Sequence, residues 1–375
     1  VDTQPKAWSP LDREFMRRAL ALAELGRGAT SPNPLVGAVL AQGGKVIAEG
    51  FHARLGEPHA EAIALERAGG QASGATLYVN LEPCAHEGRT PPCVEAILRS
   101  GVRRVVASMI DPNPRVSGAG FAALRKGGLE VEVGCLESEA RRLNESFVVF
   151  HEAGRPLVTL KWAMTLDGRI AADAGNSRWI SNELSRRRAH DLRAAHDAVL
   201  VGAGTVRADD PELSVRRPGY TGRQPLRIVL AGSQPLPANA RIFQTEGAGP
   251  TLIAAGPAFH EASLTPALNA GVRLVRISAG PHGVELEPMM KVLHQEGILS
   301  VLVEGGARVF TSFLRADLAD KVIVFLAPKL IGGAQFRSPT HDLARDTISQ
   351  ALTLTEVSLH AFEGDVCFEG YLRSI

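Results

Sequence analysis

Three short segments, well separated in the chain, carry residue types that make chemical sense only together: His59-Ala60-Glu61, Pro83-Cys84 and Pro92-Cys93. One imidazole and two thiolates suit a zinc ion and leave its fourth position open, which separates a catalytic site from a closed structural one. Whatever the chain folds into must bring these segments to one point. Two thiolates offset the charge of the metal, so its water is less acidic than on a three-histidine site and needs a nearby carboxylate. Glu61 fits that need, taking a proton and returning it to a ring nitrogen and a departing amine. Residues two apart do not share a helix face. His59 and Glu61 are therefore expected on the first turn of a helix, reaching the metal around its end. Cys93, after Pro91-Pro92, is expected at a second helix start, where the dipole favours a thiolate.

The pattern around these segments reads as an α/β layer. A helix is predicted over 12–26, then strands Leu35–Leu40 and Lys45–Glu49 about the turn Gln42-Gly43-Gly44. A helix from His59 to Ala68 follows, then strand Thr76–Asn80, helix Pro92–Arg99 and strand Arg104–Met109. Helix Gly118–Lys126 and strand Glu130–Val133 complete the alternation, which implies at least partly parallel strands. Glu137 to Gly154 reads as a closing helix and linker, and Gly154-Arg155-Pro156 as a boundary between domains 1–153 and 154–375. Beyond it lie seven strand candidates: Leu157–Lys161, Ala198–Gly202, Leu226–Leu230, Thr251–Ala255, Arg273–Ile277, Ile298–Val303 and Lys321–Leu326. Helices are expected at Asn182–His196, Glu287–Glu296 and Gly306–Leu314.

Composition narrows the partners. A formal net charge of +1 on 375 residues gives no bulk attraction to nucleic acid or an anionic membrane. Arg186, Arg187 and Arg188 read as a solvated helix face. No apolar run is long enough to span a bilayer, and the polar, proline-containing stretch Val1–Leu11 resembles neither a signal nor a transit peptide. Cytoplasm is the expected compartment. Of the four cysteines, Cys135 and Cys367 lie in apolar strand-like stretches and are expected to be buried bystanders.

Zinc deaminases carry H-x-E followed by P-C-x-x-C, and here the first half matches while eight residues separate Cys84 from Cys93. That longer spacing, Glu82-Pro83-Cys84-Ala85-His86-Glu87-Gly88-Arg89-Thr90-Pro91-Pro92-Cys93, resembles the bifunctional riboflavin-biosynthesis deaminase/reductase family. Pro32-Asn33-Pro34-Leu35-Val36-Gly37-Ala38-Val39 and Gly50-Phe51-His52 carry the same resemblance. It implies that Asn33, His52 and His86 contact the pyrimidine substrate. A structural zinc site would want a fourth ligand, for which His86 is the nearest candidate. A plain turn would equally account for Asn33 on local chemistry alone.

In the second half, Gly202-Ala203-Gly204-Thr205-Val206-Arg207 is not a Rossmann fingerprint, since Arg207 replaces the third glycine and nothing there is expected to open a helix. The resemblance extends through Lys161–Arg169, Ser177–Ser181, Gly202–Pro211 and Val303-Glu304-Gly305-Gly306. It implies an N-terminal cytidine-deaminase-like α/β/α zinc domain followed by a dihydrofolate-reductase-like α/β domain that uses NADPH. Carried over by position, Ala163, Trp179, Thr205, Asp209, Gly305 and Gly306 would line the NADPH site. Ser177, Arg193, Leu213, Arg216 and Glu304 would face the phosphorylated sugar. Arginine forks suit a phosphate dianion, and amides at Gly305-Gly306 with the following helix start can face a phosphate. Either Asp209 or Glu304 could assist proton transfer.

The family's chemistry would be two successive riboflavin-pathway steps. The first is zinc-dependent hydrolytic deamination of a diaminopyrimidinone ribosylamine 5′-phosphate; the second is NADPH-dependent reduction of the ribosyl group to ribityl. One zinc per chain, a small phosphorylated pyrimidine as substrate, and a homo-oligomer (dimer or higher) are expected. An editing deaminase acting on nucleic acid would want a basic groove and a short C-x-x-C. A zinc-stabilised binding module would lose nothing catalytic without Glu61.

Overall fold

Ser9 starts the first helix: its Oγ accepts the Asp12 N–H at 3.0 Å and Pro10 occupies the first turn of α1 (Pro10–Glu24). The buried positions Asp12, Phe15, Met16, Ala19 and Ala23 recur at helical spacing and lay one face on a sheet. The computed structural model describes residues 7–85, 91–233, 235–244, 246–280, 283–335 and 337–375. The chain divides into two compact units, one up to Gly154 and one from Arg155 to Ser374.

In the first unit α1 is followed by β1 (Gly37–Gln42), β2 (Lys45–Phe51), α2 (Ala60–Ala68), β3 (Thr76–Val79), α3 (Cys93–Arg99), β4 (Arg104–Ala107), α4 (Ala119–Lys126) and β5 (Glu130–Val133). The sheet order is β2-β1-β3-β4-β5, antiparallel as far as β3 and parallel from β3 to β5. Strand alternation sorts the core onto two faces. Val39, Ala41 and Tyr78 pack with Phe15 and Met16 of α1. Ala38, Leu40, Leu77 and Val79 pack with residues of α2, α3 and α4. The closing helix divides in two, α5 (Glu137–Leu143) and α6 (Glu145–Glu152). Asn144 is the reason: buried between them, its Oδ1 accepts the Leu35 N–H at 2.7 Å and its Nδ2 donates to the Leu35 carbonyl at 3.0 Å.

The second unit runs β6 (Leu157–Thr165), α7 (Glu183–Ala195), β7 (Ala198–Gly202), α8 (Ala203–Asp209), β8 (Leu226–Gly232), β9 (Thr251–Ala255), α9 (Thr265–Asn269), β10 (Arg273–Arg276), the pair β11 (Ala279–Gly280) and β12 (Gly283–Val284), α10 (Leu286–Gln295), β13 (Ser300–Gly305), α11 (Ala307–Arg315), β14 (Lys321–Ala327), β15 (Thr355–Phe362) and β16 (Asp365–Tyr371). All seven expected strands are present. They form the parallel part of a nine-stranded sheet, β10-β9-β8-β7-β13-β6-β14-β16-β15, whose last two strands are antiparallel. Both faces of the parallel part are covered, with Val199 and Val201 in one core and Ala198 and Leu200 in the other, so these strands read as continuous apolar runs. Two readings change. A helix, α8, does open after Gly202, and the hairpin β15–β16 joins the sheet beyond the seven expected strands, with β15 almost wholly exposed. Cys135 and Cys367 are buried as expected, although Cys135 lies in the turn after β5.

Buried charge ties α1 to the first sheet. Asp12 accepts from Tyr78 Oη at 2.8 Å, Arg104 Nη1 at 2.7 Å and Ser9 Oγ at 2.7 Å. Burial alone would raise its pKa, but these donors outweigh it and hold the carboxyl at about 2 against an ordinary 3.8. A depressed carboxyl stabilises the fold above its unfolded pKa and loses that contribution as pH falls through the folded value. Asp12→Asn is expected to lower stability by about 2 kcal/mol at pH 7. In urea denaturation series the gap to the wild type should narrow between about pH 4 and pH 2.

Candidate active sites

His59 sits just before α2 in extended backbone (φ −73, ψ 159), so its ring leaves the helix end rather than its side. The helix can begin there because β2 passes beneath it with Gly50: a Cβ at that position would lie 2.3 Å from the Ala60 carbonyl. Pro92 precedes α3, whose first residue is Cys93. The chain folds back so that the Cys93 N–H points at Cys84 Sγ at 3.4 Å and the Val94 N–H reaches the Cys84 carbonyl at 3.2 Å.

His59 Nδ1 lies 3.3 Å from Cys93 Sγ and 3.6 Å from Cys84 Sγ. The three ligand atoms all fall within 4.8 Å of one another. This donor set, one imidazole nitrogen and two sulfurs with room for a fourth ligand, fits a catalytic zinc. Cys84 is pulled down by the hydrogen bond from the Cys93 thiol, against burial and with help from His59; Cys93 is pushed up by the same bond. Glu61 is 3% exposed and its Oε2 has no hydrogen-bond partner among the described residues. Burial raises its pKa above the ordinary carboxylate range. An unpaired buried acceptor is costly, which marks this oxygen as one kept for something the chain itself does not supply.

His52 stands edge-on to His59, ring centroids 5.4 Å apart. Its Nδ1 donates to the Pro58 carbonyl at 3.1 Å, which leaves Nε2 to accept from Asn33 Nδ2 at 3.1 Å. Burial lowers its pKa, in keeping with a neutral ring. The structure thus brings Asn33, His52, His59, Glu61, Cys84 and Cys93 together; His86 lies outside the described residues. Asp111 was missed. It is buried after β4, and burial pushes its carboxyl up to about 6, with Cys84 among the charges it feels. The signal available was Asp111-Pro112-Asn113-Pro114, a turn sequence directly after an apolar strand.

In the second unit two cavities adjoin, sharing Ile170, Ser177, Thr205, Asp209 and Gly306 in their walls. The larger, about 680 Å³, runs along Gly202–Thr205, Ser233 and the start of α11. Close approach is built into it, since a Cβ on Gly305 or Gly306 would come within 3.3 Å of Thr205 Oγ1. It suits an elongated dinucleotide with phosphates at the α11 start. The smaller, about 400 Å³, holds Ala163, Trp179, Arg193, Arg216, Glu304 and Gly305 of the expected residues. Arg186 also lines it and lies over the Trp179 ring at 4.6 Å, so that arginine is not simply a solvated one. Leu213 lines neither cavity: it is buried, with φ 58, and turns the chain towards Ser214 and Arg216.

Arg193 lines the smaller cavity already paired. Its fork closes on Glu304, with Nη2 to Oε2 at 3.0 Å and Nε to Oε1, while Nη1 donates to the Ser214 carbonyl at 3.1 Å. Three of its five N–H groups are engaged by Glu304 and the loop, and the half-exposed Arg216 is the more open guanidinium. Lys161, in the segment Lys161–Arg169, lines the same cavity, largely buried, with Nζ 3.6 Å from Glu304 Oε2. Burial lowers the Lys161 pKa, with Glu304 opposing. Glu304 itself falls to about 2, because Arg193 and Lys161 outweigh the cost of burying it. Ser177 Oγ donates to Asp209 at 3.3 Å.

Residues 9–109 match the cytidine and deoxycytidylate deaminase zinc-binding region, and residues 156–368 match the RibD C-terminal domain. The riboflavin biosynthesis protein RibD of Aquifex aeolicus is 46% identical over 322 residues, covering 86% of this chain and 88% of its own length. That of Synechocystis is 41% identical over 363 residues, 96% of each. The structure of Acinetobacter baumannii RibD superposes with a TM-score of 0.87 at 36% identity, covering 96% of this chain and 98% of that one. A Thermotoga maritima protein, described as a diaminohydroxyphosphoribosylaminopyrimidine deaminase/5-amino-6-(5-phosphoribosylamino)uracil reductase, gives 0.82 at 38% identity over the same shares.

Proposed function

This chain belongs to the RibD family of riboflavin biosynthesis proteins, and from that membership we propose how its residues divide the work. It is a bifunctional enzyme of riboflavin biosynthesis, a zinc-dependent deaminase joined to an NADPH-dependent reductase. We assign deamination to residues 1–153 and reduction to 154–375. The substrate we assign is 2,5-diamino-6-ribosylamino-4(3H)-pyrimidinone 5′-phosphate, which loses its 2-amino group as ammonia before its ribosyl group is reduced to ribityl.

In the first unit His59, Cys84 and Cys93 would hold the zinc, which supplies an acidified water as nucleophile. The unpartnered Oε2 of Glu61 carries the reading: a buried carboxylate oxygen beside the ligand set is placed to take one proton and hand it on to the ring nitrogen and leaving ammonia. Asn33 and His52, locked to each other, would orient the pyrimidine. Glu61→Gln is expected to keep its zinc yet lower ammonia release by about 100-fold or more, while NADPH oxidation on supplied aminouracil substrate stays unchanged. Ammonia release near the wild-type rate would refute the assignment.

In the second unit bound NADPH would supply the hydride for the ribose C1′. Around the smaller cavity four cations, Lys161, Arg186, Arg193 and Arg216, stand against two carboxylates, Asp209 and Glu304, a surplus that suits a phosphate dianion. Opening the sugar leaves an oxygen that needs a proton. Glu304, held ionised by Arg193 and Lys161, cannot give one at neutral pH. The Lys161 ammonium, with its lowered pKa, can. Lys161→Met is expected to slow NADPH oxidation by about 100-fold or more with deamination intact; a loss below tenfold would return the proton to Asp209.

We propose a homo-oligomer joined through the β15 edge. That strand ends the nine-stranded sheet and exposes Val357 and Leu359, with Phe368 beside them on β16; an open apolar edge of this kind invites pairing with a second copy. Leu359→Glu is expected to shift the mass measured by light scattering towards that of one chain, and an unchanged mass would rule this face out. Among the described residues no helix is long and apolar enough to cross a membrane. Four free cysteines, two of them needed as thiolates, suit a reducing cytoplasm.

A further inference from the structure

Glu82 directly precedes Pro83-Cys84 and is 4% exposed. Its carboxylate is gripped by backbone alone. Oε1 accepts the N–H groups of Gly120 at 2.8 Å and Phe121 at 3.3 Å, and Oε2 those of Gly118 at 2.9 Å and Asp111 at 3.1 Å. Gly120 and Phe121 belong to the first turn of α4, whose N–H groups have no partner inside the helix. The residue at the cap position, Gly118, has no side chain to serve them. Glu82 therefore caps α4 from a remote part of the chain, where the helix dipole favours its charge.

The same knot grips the cysteine segment sterically. A Cβ at Gly120 would lie 2.0 Å from the Pro83 carbonyl oxygen, so that peptide is wedged against the helix start. On the far side the Cys84 carbonyl is held by the Val94 N–H at 3.2 Å, within the helix that begins at Cys93. We infer that Glu82 is the positioning residue of the metal site: its four-fold grip on the α4 start and the Asp111 turn holds Pro83-Cys84 where Cys84 can meet His59 and Cys93. This rests on the assignment of those three residues as ligands. Glu82 touches no reacting atom, so its effect should be read in how tightly the metal is held.

The test is zinc competition against a chromophoric chelator on the full chain at low temperature, with ammonia release and NADPH oxidation measured on the same samples. Two variants probe the grip independently. Glu82→Gln keeps the shape but turns an NH₂ towards backbone donors, and Gly120→Ala pushes on Pro83 without altering charge. Both are expected to hold zinc at least about tenfold more weakly, with NADPH oxidation unchanged. Saturating zinc should restore ammonia release to within about threefold of the wild type, unlike in Glu61→Gln. Zinc affinity within about twofold of the wild type in both variants, or zinc-loaded variants that stay inactive, would overturn the inference. Cys84→Ala serves as the reference: if it retained zinc, the ligand assignment itself would fail.

Discussion

The close approach of two helix starts to neighbouring backbone, one a strand and one a loop, governs the first unit. His59 reaches the metal position because α2 begins directly over Gly50, and Cys84 because its segment is pressed against Gly120. Each contact excludes a Cβ, so the ligand geometry is set by missing atoms as much as by present ones. Helix termini also leave unpaired N–H groups that must be satisfied. In α4 a carboxylate two residues from a ligand does this, so the fold's need for a cap and the site's need for a fixed cysteine are met by one side chain.

The second unit relies on charge balance in a closed space. Arg193, Lys161 and Glu304 are enclosed together, and a buried ion survives only when paired and hydrogen-bonded. Pairing decides chemistry as well as stability. Glu304 stays ionised and spends both oxygens on Arg193, so neither group stands in the cavity as a lone charge. Lys161, an ammonium with a lowered pKa, and the more open guanidinium of Arg216 line the same cavity.

Much of this was legible in the sequence, for identifiable reasons. Strands buried on both faces, such as Ala198–Gly202 and Thr251–Ala255, show as unbroken apolar runs, and the zinc ligands show because their residue types are rarely combined otherwise. Helix α8 was hidden by the glycines that open it; β15 does alternate Val357, Leu359 and Ala361 with polar residues, but lies exposed at the sheet edge rather than in the core. Asn144 gave no sign that it would divide a helix, since its reason for doing so lies at Leu35, more than a hundred residues earlier. Arg193 could be placed in the site from resemblance, but its partner could not. An arginine looks the same in sequence whether it awaits a phosphate or already holds a carboxylate.

That ambiguity bears on how the two chemistries coexist in one chain. Hydrolytic deamination needs a water to be activated, whereas hydride transfer needs nicotinamide and sugar carbon brought close with competing water excluded. The first unit keeps one oxygen of a buried carboxylate unpartnered beside its ligand set; the second neutralises the carboxylate in its smaller cavity, Glu304, with two cations. A free Glu61 Oε2 is a proton acceptor, and a locked Glu304 is a fixed charge. The same side-chain type thus serves opposite ends through its partners, and partner geometry, more than residue identity, tells the two active sites apart.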